Sequence, residues 1–453
     1  MASNEERRDK LLSDPKKAIL SISIPMIVGM SANTIYNFVD AIWVSGIGAD
    51  ALSAVGLFYP FYFMILALSS AISVGGGVAL ARKIGSGDVM GAGRIMSHSY
   101  LYGIIASLAL SIPMLLFAED IFLYLGAGDV LPETVSYARI MFFGAFLLFF
   151  SDISNSILTN QGDARRSMHA MLLGSVLNII LDPIFIYYMD MGIAGAAWAT
   201  VASYLVASAL LYYWIFMRGM TFGKISLKPD FDWPVSRDIF RVGVPASLQT
   251  LSFSVYMMVL NGIVLSTGGT YGVAILSTGW RVTSLATLPL IGIAIGVSTV
   301  TGAAYGAKEV RKMKCAYTYS IKIGLLLEAG IAILVFLLAP YLSLLFTQGG
   351  KLEIYDGLVG FLRIVCLYFP VVSISMFSSS LFNGIGKGTY GLVLTLLRTV
   401  VLTISLALLF SARTDLGLTG IWIAIVVANV SGSVLSLIWA DVSISRILKA
   451  YRQ

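Results

Sequence analysis

Charge is what this sequence has least of: Asp, Glu, Lys and Arg make up 12% of its 453 residues, about half the share usual in a soluble domain. A chain so poor in charge cannot present a water-facing surface, which excludes an ordinary soluble protein. Cysteine is nearly absent. Cys315 and Cys366 form no CxxC pair and no disulfide framework, so both read as unpaired structural thiols. Histidine occurs only as His98 and His169, without metal-ligand spacing to each other or to cysteine, and both read as solvated structural residues near helix ends. Neither HExxH nor a convincing serine–histidine arrangement is present, which removes the usual routes to a membrane-embedded enzyme.

What fills the space is hydrocarbon. Hydrophobic residues make up 58% of the chain, in runs that repeatedly reach the roughly 20 residues needed to cross a bilayer. The stretch from Met1 to Lys17 is polar, and the apolar segment after it continues as a full span, so it reads as a retained helix and not a cleaved signal. Apolar runs and polar breaks predict spans at 17–46, 51–82, 92–118, 134–159, 166–189 and 193–217, then at 237–266, 271–305, 312–339, 356–384, 388–411 and 417–446. Several are long enough to tilt or bend. The fold class is therefore an all-α polytopic membrane protein of about twelve helices. It has a tail at 1–16, a six-helix bundle at 17–217, a linker at 218–236, a second bundle at 237–446 and a tail at 447–453.

The net charge of +6 follows topology and does not call for nucleic acid. Most of the 30 Lys and Arg residues fall in the tails and on one set of connections, among them Arg165, Arg166, Arg311, Lys312 and Lys314, while the opposite loops hold Lys351 and Arg413. The positive-inside rule then predicts a multi-pass protein of the cell membrane with both termini in the cytoplasm. The halves also repeat. Pro25 matches Pro245, Gly85 matches Gly306, Gly162 matches Gly386, and Gly192 with Gly195 matches Gly417 with Gly420. Six spans per half give both repeats one orientation, which predicts a pseudo-twofold axis along the membrane normal and a substrate path between the bundles.

Within a span an ionisable side chain costs at least about 2.5 kcal/mol, so each needs a partner or a task. Four carboxylates qualify: Asp40, Asp152, Asp182 and Glu328. Asp40 shares a helical face with Asn33, Tyr36 and Asn37, and Asp182 with Ser175 and Asn178. Counting along the helices puts Asp40, Asp182 and Thr200 at similar depth, so three helices can bring carboxylate, amide and hydroxyl oxygens to one point, as a hard cation requires. Pro183 leaves the carbonyl of Ile179 without its helical donor, a further potential ligand. Two carboxylates at one depth repel unless a cation or proton intervenes; the bland alternative is hydrogen bonding between helices. Asp152 and Asn155 share a face with Ser156 and Thr159 nearer the cytoplasmic side, lining a cavity or holding helices together. Glu328 has Arg281, Lys322 and Arg398 as candidate partners for a buried ion pair.

The run Asn178-Ile-Ile-Leu-Asp182-Pro183-Ile-Phe-Ile, continuing through Gly192-Ile-Ala-Gly195-Ala-Ala-Trp-Ala-Thr200, resembles a signature of the MATE (multidrug and toxic compound extrusion) transporters. So do the glycine-rich segment from Ser73 to Asp88 and its counterpart from Ile295 to Gly306. The resemblance covers essentially the whole chain and is nearest the DinF-like branch. It implies a cation site in the first bundle at Asp40, Asn178, Asp182 and Thr200, with Tyr36, Tyr137 and Asn155 in the adjoining polar network. The NorM-like branch instead uses acids in spans 7 and 10, where this chain has only Asp238 and Asp356, at the span ends. The resemblance further implies antiport of small organic compounds, often cationic or amphipathic, driven by protons or sodium ions. It implies no cofactor and no required protein partner. With the same architecture, flipping of a lipid-linked metabolite is an alternative, and an ion channel a remoter one. Pro25, about fifteen residues before Asp40 on the same helix, is a candidate bending point.

Overall fold

The computed structural model describes residues 3–226, 231–347, 352–413 and 416–451. Residues 227–230 of the expected linker, Lys351 and residues 452–453 of the expected tail lie outside the described residues. The helices are α1 (Asn4–Leu12), α2 (Pro15–Ser45), α3 (Ala49–Ser86), α4 (Val89–Leu116), α5 (Ala118–Tyr124), α6 (Leu131–Asn160), α7 (Ala164–Pro183) and α8 (Gly192–Tyr212). The second half holds α9 (Trp233–Gly306), α10 (Val310–Thr347), α11 (Tyr355–Val365), α12 (Phe369–Gly384), α13 (Gly388–Leu396), α14 (Thr403–Arg413) and α15 (Gly417–Ala450). Local sequence sets the boundaries. Asp14, Asp88 and Asp232 each accept a backbone N–H in the first turn of α2, α4 and α9, and Gly87, in the left-handed region at φ 76°, ends α3.

Among the described residues, eleven continuous helical stretches are long and apolar enough to cross a membrane. One of them, α9, has 74 residues. At 1.5 Å per residue it would measure about 110 Å, several times the roughly 30 Å of a hydrocarbon core. Gly269, at φ 61° and ψ −157°, breaks it, in the gap between the expected spans 237–266 and 271–305. Two spans therefore meet there, and the described residues make twelve spans in two bundles. Pro25 and Pro245 are both buried inside helices that continue past them.

The bundles join through small residues, the way helices associate where no hydrophobic effect drives them together. A Cβ on Gly85 would collide with the Ala303 carbonyl, and one on Gly306 with the Arg82 carbonyl. Gly75 meets Ile239 and Gly243 as Gly296 meets Ile19 and Ser23. Each contact returns with the halves exchanged, as a pseudo-twofold relation demands. The turns repeat as well. Gly162 and Gly386 adopt φ 84° and 78°, and Gly192 and Gly417 both adopt φ 54°. The same face is pinned by an ion pair from Arg82 to Asp238 at 2.7 Å, and Arg82 also donates to the Gly384 carbonyl at 3.2 Å.

The structure adds detail at the tail and corrects one histidine. Within the expected tail 1–16, Asn4–Leu12 forms a docked helix. Ser3 and Glu6 close a capping box on α1, Leu11 and Leu12 are buried, and three basic side chains fasten the helix to distant backbone. Arg7 donates to Met220 O at 2.9 Å, Arg8 to Gly85 O at 3.1 Å and Lys10 to Gly162 O at 2.5 Å. His98 is buried, not solvated. Its Nδ1 lies 2.9 Å from Arg94 O, and its Nε2 accepts the N–H of Asp232 at 3.2 Å, so it ties α4 to the start of α9. His169 is exposed, and both cysteines are free thiols.

Candidate functional site

In the first bundle α7 carries Asn178 and Asp182 one turn apart, so both face α2 and α8. The Asn178 amide donates to Asp182 Oδ1 at 3.4 Å and to Thr200 Oγ1 at 3.3 Å, and Thr200 donates on to the Ala196 carbonyl at 3.1 Å. Just past Asp182, Pro183 ends the regular helix and Ile184–Tyr188 winds as a π-turn, a local distortion often found at functional sites. Asp182 is fully buried. Asp182 Oδ2, Asn178 Oδ1 and Asp40 Oδ1 are all shielded from solvent without a hydrogen-bond partner. Asp40 lies within electrostatic reach of Asp182, and Tyr137 within reach of both. Buried oxygens left without donors normally carry a penalty of about 1–3 kcal/mol each, more when charged.

Directly adjoining is a cavity of about 120 Å³. Asn178 and Thr200 line it, while Asp40 and Asp182 do not, so the amide and hydroxyl form the wall between the cavity and the two carboxylates. Tyr36, Asn155 and Asp152 line it as well. Asp152 opens onto this space, and its Oδ2 accepts from Ser69 at 2.6 Å and from Ser73 at 3.1 Å. Asp152 thus both lines the cavity and bonds α6 to α3. Asn155 Oδ1 accepts from Ser167 at 2.9 Å. Ser156 and Thr159, placed with them by periodicity, turn away to Ser73 O and Met26 Sδ.

Other residues fall elsewhere. Tyr137 is buried outside the cavity lining, edge-on to Phe58 at 5.3 Å. Asn37 is exposed and donates to Asn33; Asn33 itself lines the cavity. The ion pair expected for Glu328 does not form. Both of its carboxylate oxygens are buried without partners, Arg281 and Lys322 are exposed, and Arg398 donates to Asn429 Oδ1 at 3.0 Å. Sequence reasoning missed Tyr204, whose hydroxyl meets that of Tyr36. Its signal was there, because Thr200, Ser203, Tyr204 and Ala207 follow one helical face and all line the cavity.

Two carboxylates, an amide and a hydroxyl form an all-oxygen donor set suited to a hard cation or a shared proton. Among the described residues no group of three or more His, Cys, Asp and Glu is placed to hold a metal ion.

The MatE family model matches residues 25–184 and 245–409, one segment in each bundle. The multidrug export protein MepA of Staphylococcus aureus is 26% identical over 418 residues, covering 91% of this chain and 90% of that protein. A FAD transporter of Shewanella oneidensis is 28% identical over 435 residues, covering 93% and 94%. Among solved structures, the outward-facing conformation of a multidrug resistance MATE family transporter superimposes with a TM-score of 0.93 at 40% identity, covering 97% of this chain and 98% of that one.

Proposed function

This chain belongs to the MATE family of multidrug efflux transporters, and from that premise we propose that it is an antiporter. It exports small organic compounds, often cationic or amphipathic, across the cell membrane as protons or sodium ions move inward. Coupling takes place at Asp40, Asn178, Asp182 and Thr200, with both termini in the cytoplasm. The observation that carries this reading is the set of three buried, unpartnered oxygens on Asp40, Asn178 and Asp182, side by side with a cavity lined by Asp152.

The mechanism follows from electrostatics. Two neighbouring carboxylates repel until a cation or proton sits between them, so loading draws α2 toward α7 and unloading lets them part. Pro25 lies on α2 between its start and Asp40 and, lacking an N–H, gives the helix a place to bend. Movement of α2 changes the cavity wall at Asn33 and Tyr36. A ligand shifts such an equilibrium only by binding its two states differently, and the shift is reciprocal. Cation entry therefore weakens cargo binding, and cargo binding weakens cation affinity.

Reconstituted protein supplied with a fluorescent organic cation, under an imposed pH gradient or sodium gradient alone, tests the coupling. Export is expected to require one of the two and to vanish in Asp40→Asn and Asp182→Asn protein of normal folded yield. Wild-type rates in either variant would dismiss the site. Spin labels on α2 and α7 should report a distance that responds to pH or sodium, with the response lost in Asp40→Asn.

A further inference from the structure

The second bundle contains a cavity that is the repeat-related twin of the one in the first, with its charge reversed. It encloses about 360 Å³. The residue offsets that pair Pro25 with Pro245, Gly162 with Gly386 and Gly192 with Gly417 also pair its walls with the first cavity. Tyr36 corresponds to Tyr256, Asp152 to Met376, Gly174 to Arg398 and Tyr204 to Asn429, and every one of these residues lines its own cavity. Where the first cavity has an acid, the twin has a thioether; where the first has a bare glycine, the twin has a guanidinium. The two carboxylates behind the first cavity have no counterparts either, since Asp40 and Asp182 fall at Leu260 and Leu406.

Arg398 stands on the π-turn Leu397–Leu402, a distortion in span 11 that re-aims its side chain. One terminal nitrogen donates to Asn429 Oδ1 at 3.0 Å, and Nε is buried with no partner. No carboxylate pairs with Arg398 among the described residues. A guanidinium held inside a membrane protein without a counter-ion is costly. It is also the side chain best shaped to grip a carboxylate, phosphate or sulfonate through two parallel hydrogen bonds. Around it the cavity is aromatic: Phe253 and Trp280 have ring centroids 6.0 Å apart, Tyr256 and Trp280 6.3 Å, and Tyr368 completes the wall.

We propose that this cavity is a binding site for an aromatic organic anion, whose acid group pairs with Arg398 while its ring packs against Trp280, Tyr256 and Tyr368. The site is separate from the carboxylate site of the first bundle and stands whether or not that site couples transport.

The test is equilibrium binding of 2-naphthoate, and of its charge-reversed analogue 2-naphthylmethylammonium, to the full chain in phosphatidylcholine nanodiscs. Arg398→Gln should weaken naphthoate about tenfold or more, the weight of a charged hydrogen-bonded pair, and leave the ammonium compound unchanged. Met376→Asp keeps Arg398 but puts a carboxylate in the same cavity, and should weaken naphthoate likewise, so a folding defect in the first variant does not decide the matter. Naphthoate binding insensitive to both variants, or abolished by Asp152→Asn instead, overturns the proposal. So does Arg398-dependent competition from phosphatidylglycerol added to the nanodiscs, which would make the site a lipid headgroup pocket.

Discussion

In the first bundle the buried Asp182 and half-buried Asp40 lie behind a cavity onto which Asp152 opens, whereas the second has Leu260, Leu406 and Met376 at the related positions and places Arg398 where the first has Gly174. Along the axis between them the bundles stay alike, and the glycine contacts are traded one for one. The difference shows that backbone packing and cavity chemistry are separable in this architecture. Residues at the shared interface answer to both repeats, because each touches the other half. Each cavity is lined from within its own bundle, so one repeat can hold acids and the other a base on the same frame.

The largest expected effect tests whether acidic coupling is confined to one side. Asp182→Asn should lower gradient-driven export by about 100-fold, the upper range of a coupling free energy, while Glu328→Gln leaves it within a few-fold. Equal losses in proteoliposomes at matched folded yield would make both bundles couplers and erase the contrast. Next come the paired glycines. Gly85→Val and Gly306→Val each force a side chain into the facing backbone and should each cost about 1–3 kcal/mol, by closely similar amounts in thermal unfolding. A harmless change on one side alone would break the reciprocity of the interface.

A smaller effect lies in the ion pair that spans the bundles. Arg82→Ala removes a charge-assisted contact to Asp238 and one to Gly384 O, and should raise the population opened on this face about tenfold, read as a longer spin-label distance between α3 and the start of α9. The smallest contrast is in a turn. Gly87 and Lys308 occupy related positions at φ 76° and 62°, a region that costs a residue with a side chain about 1 kcal/mol or more. Lys308→Gly should therefore stabilise the protein by about that amount and Gly87→Lys should cost as much, measured by denaturation.

Much of the fold was legible because membrane spans announce themselves by length and repeats by glycine. The gap between 266 and 271 in the apolar pattern coincides with Gly269, and Gly162 and Gly386 mark the same turn twice. The adjacency of Asn178, Asp182 and Thr200 was legible from helical periodicity plus a depth count. The layering of the site was not. Periodicity says which residues share a face but not how that helix is rotated against its neighbours, so it could not tell that Asn37 turns outward while Asn33 and Tyr36 face the cavity. The same limit hid the serines that hold Asp152 and left Glu328 with partners it does not meet. The docking of α1 was illegible for another reason: its anchors are backbone carbonyls, which no side-chain pattern records.

Those anchors bear on how the chain assembles. Arg8 needs Gly85, Lys10 needs Gly162 and Arg7 needs Met220, so α1 cannot settle on all three anchors until some two hundred later residues have been made and the linker after α8 has emerged. Domains generally fold as units from the N-terminus during synthesis, yet here α1 must wait for anchors that lie far after it in the chain. Protection of α1 from protease on chains of increasing length should therefore appear only once the nascent polypeptide has exposed Met220, which makes this short helix a clock for completion of the first bundle.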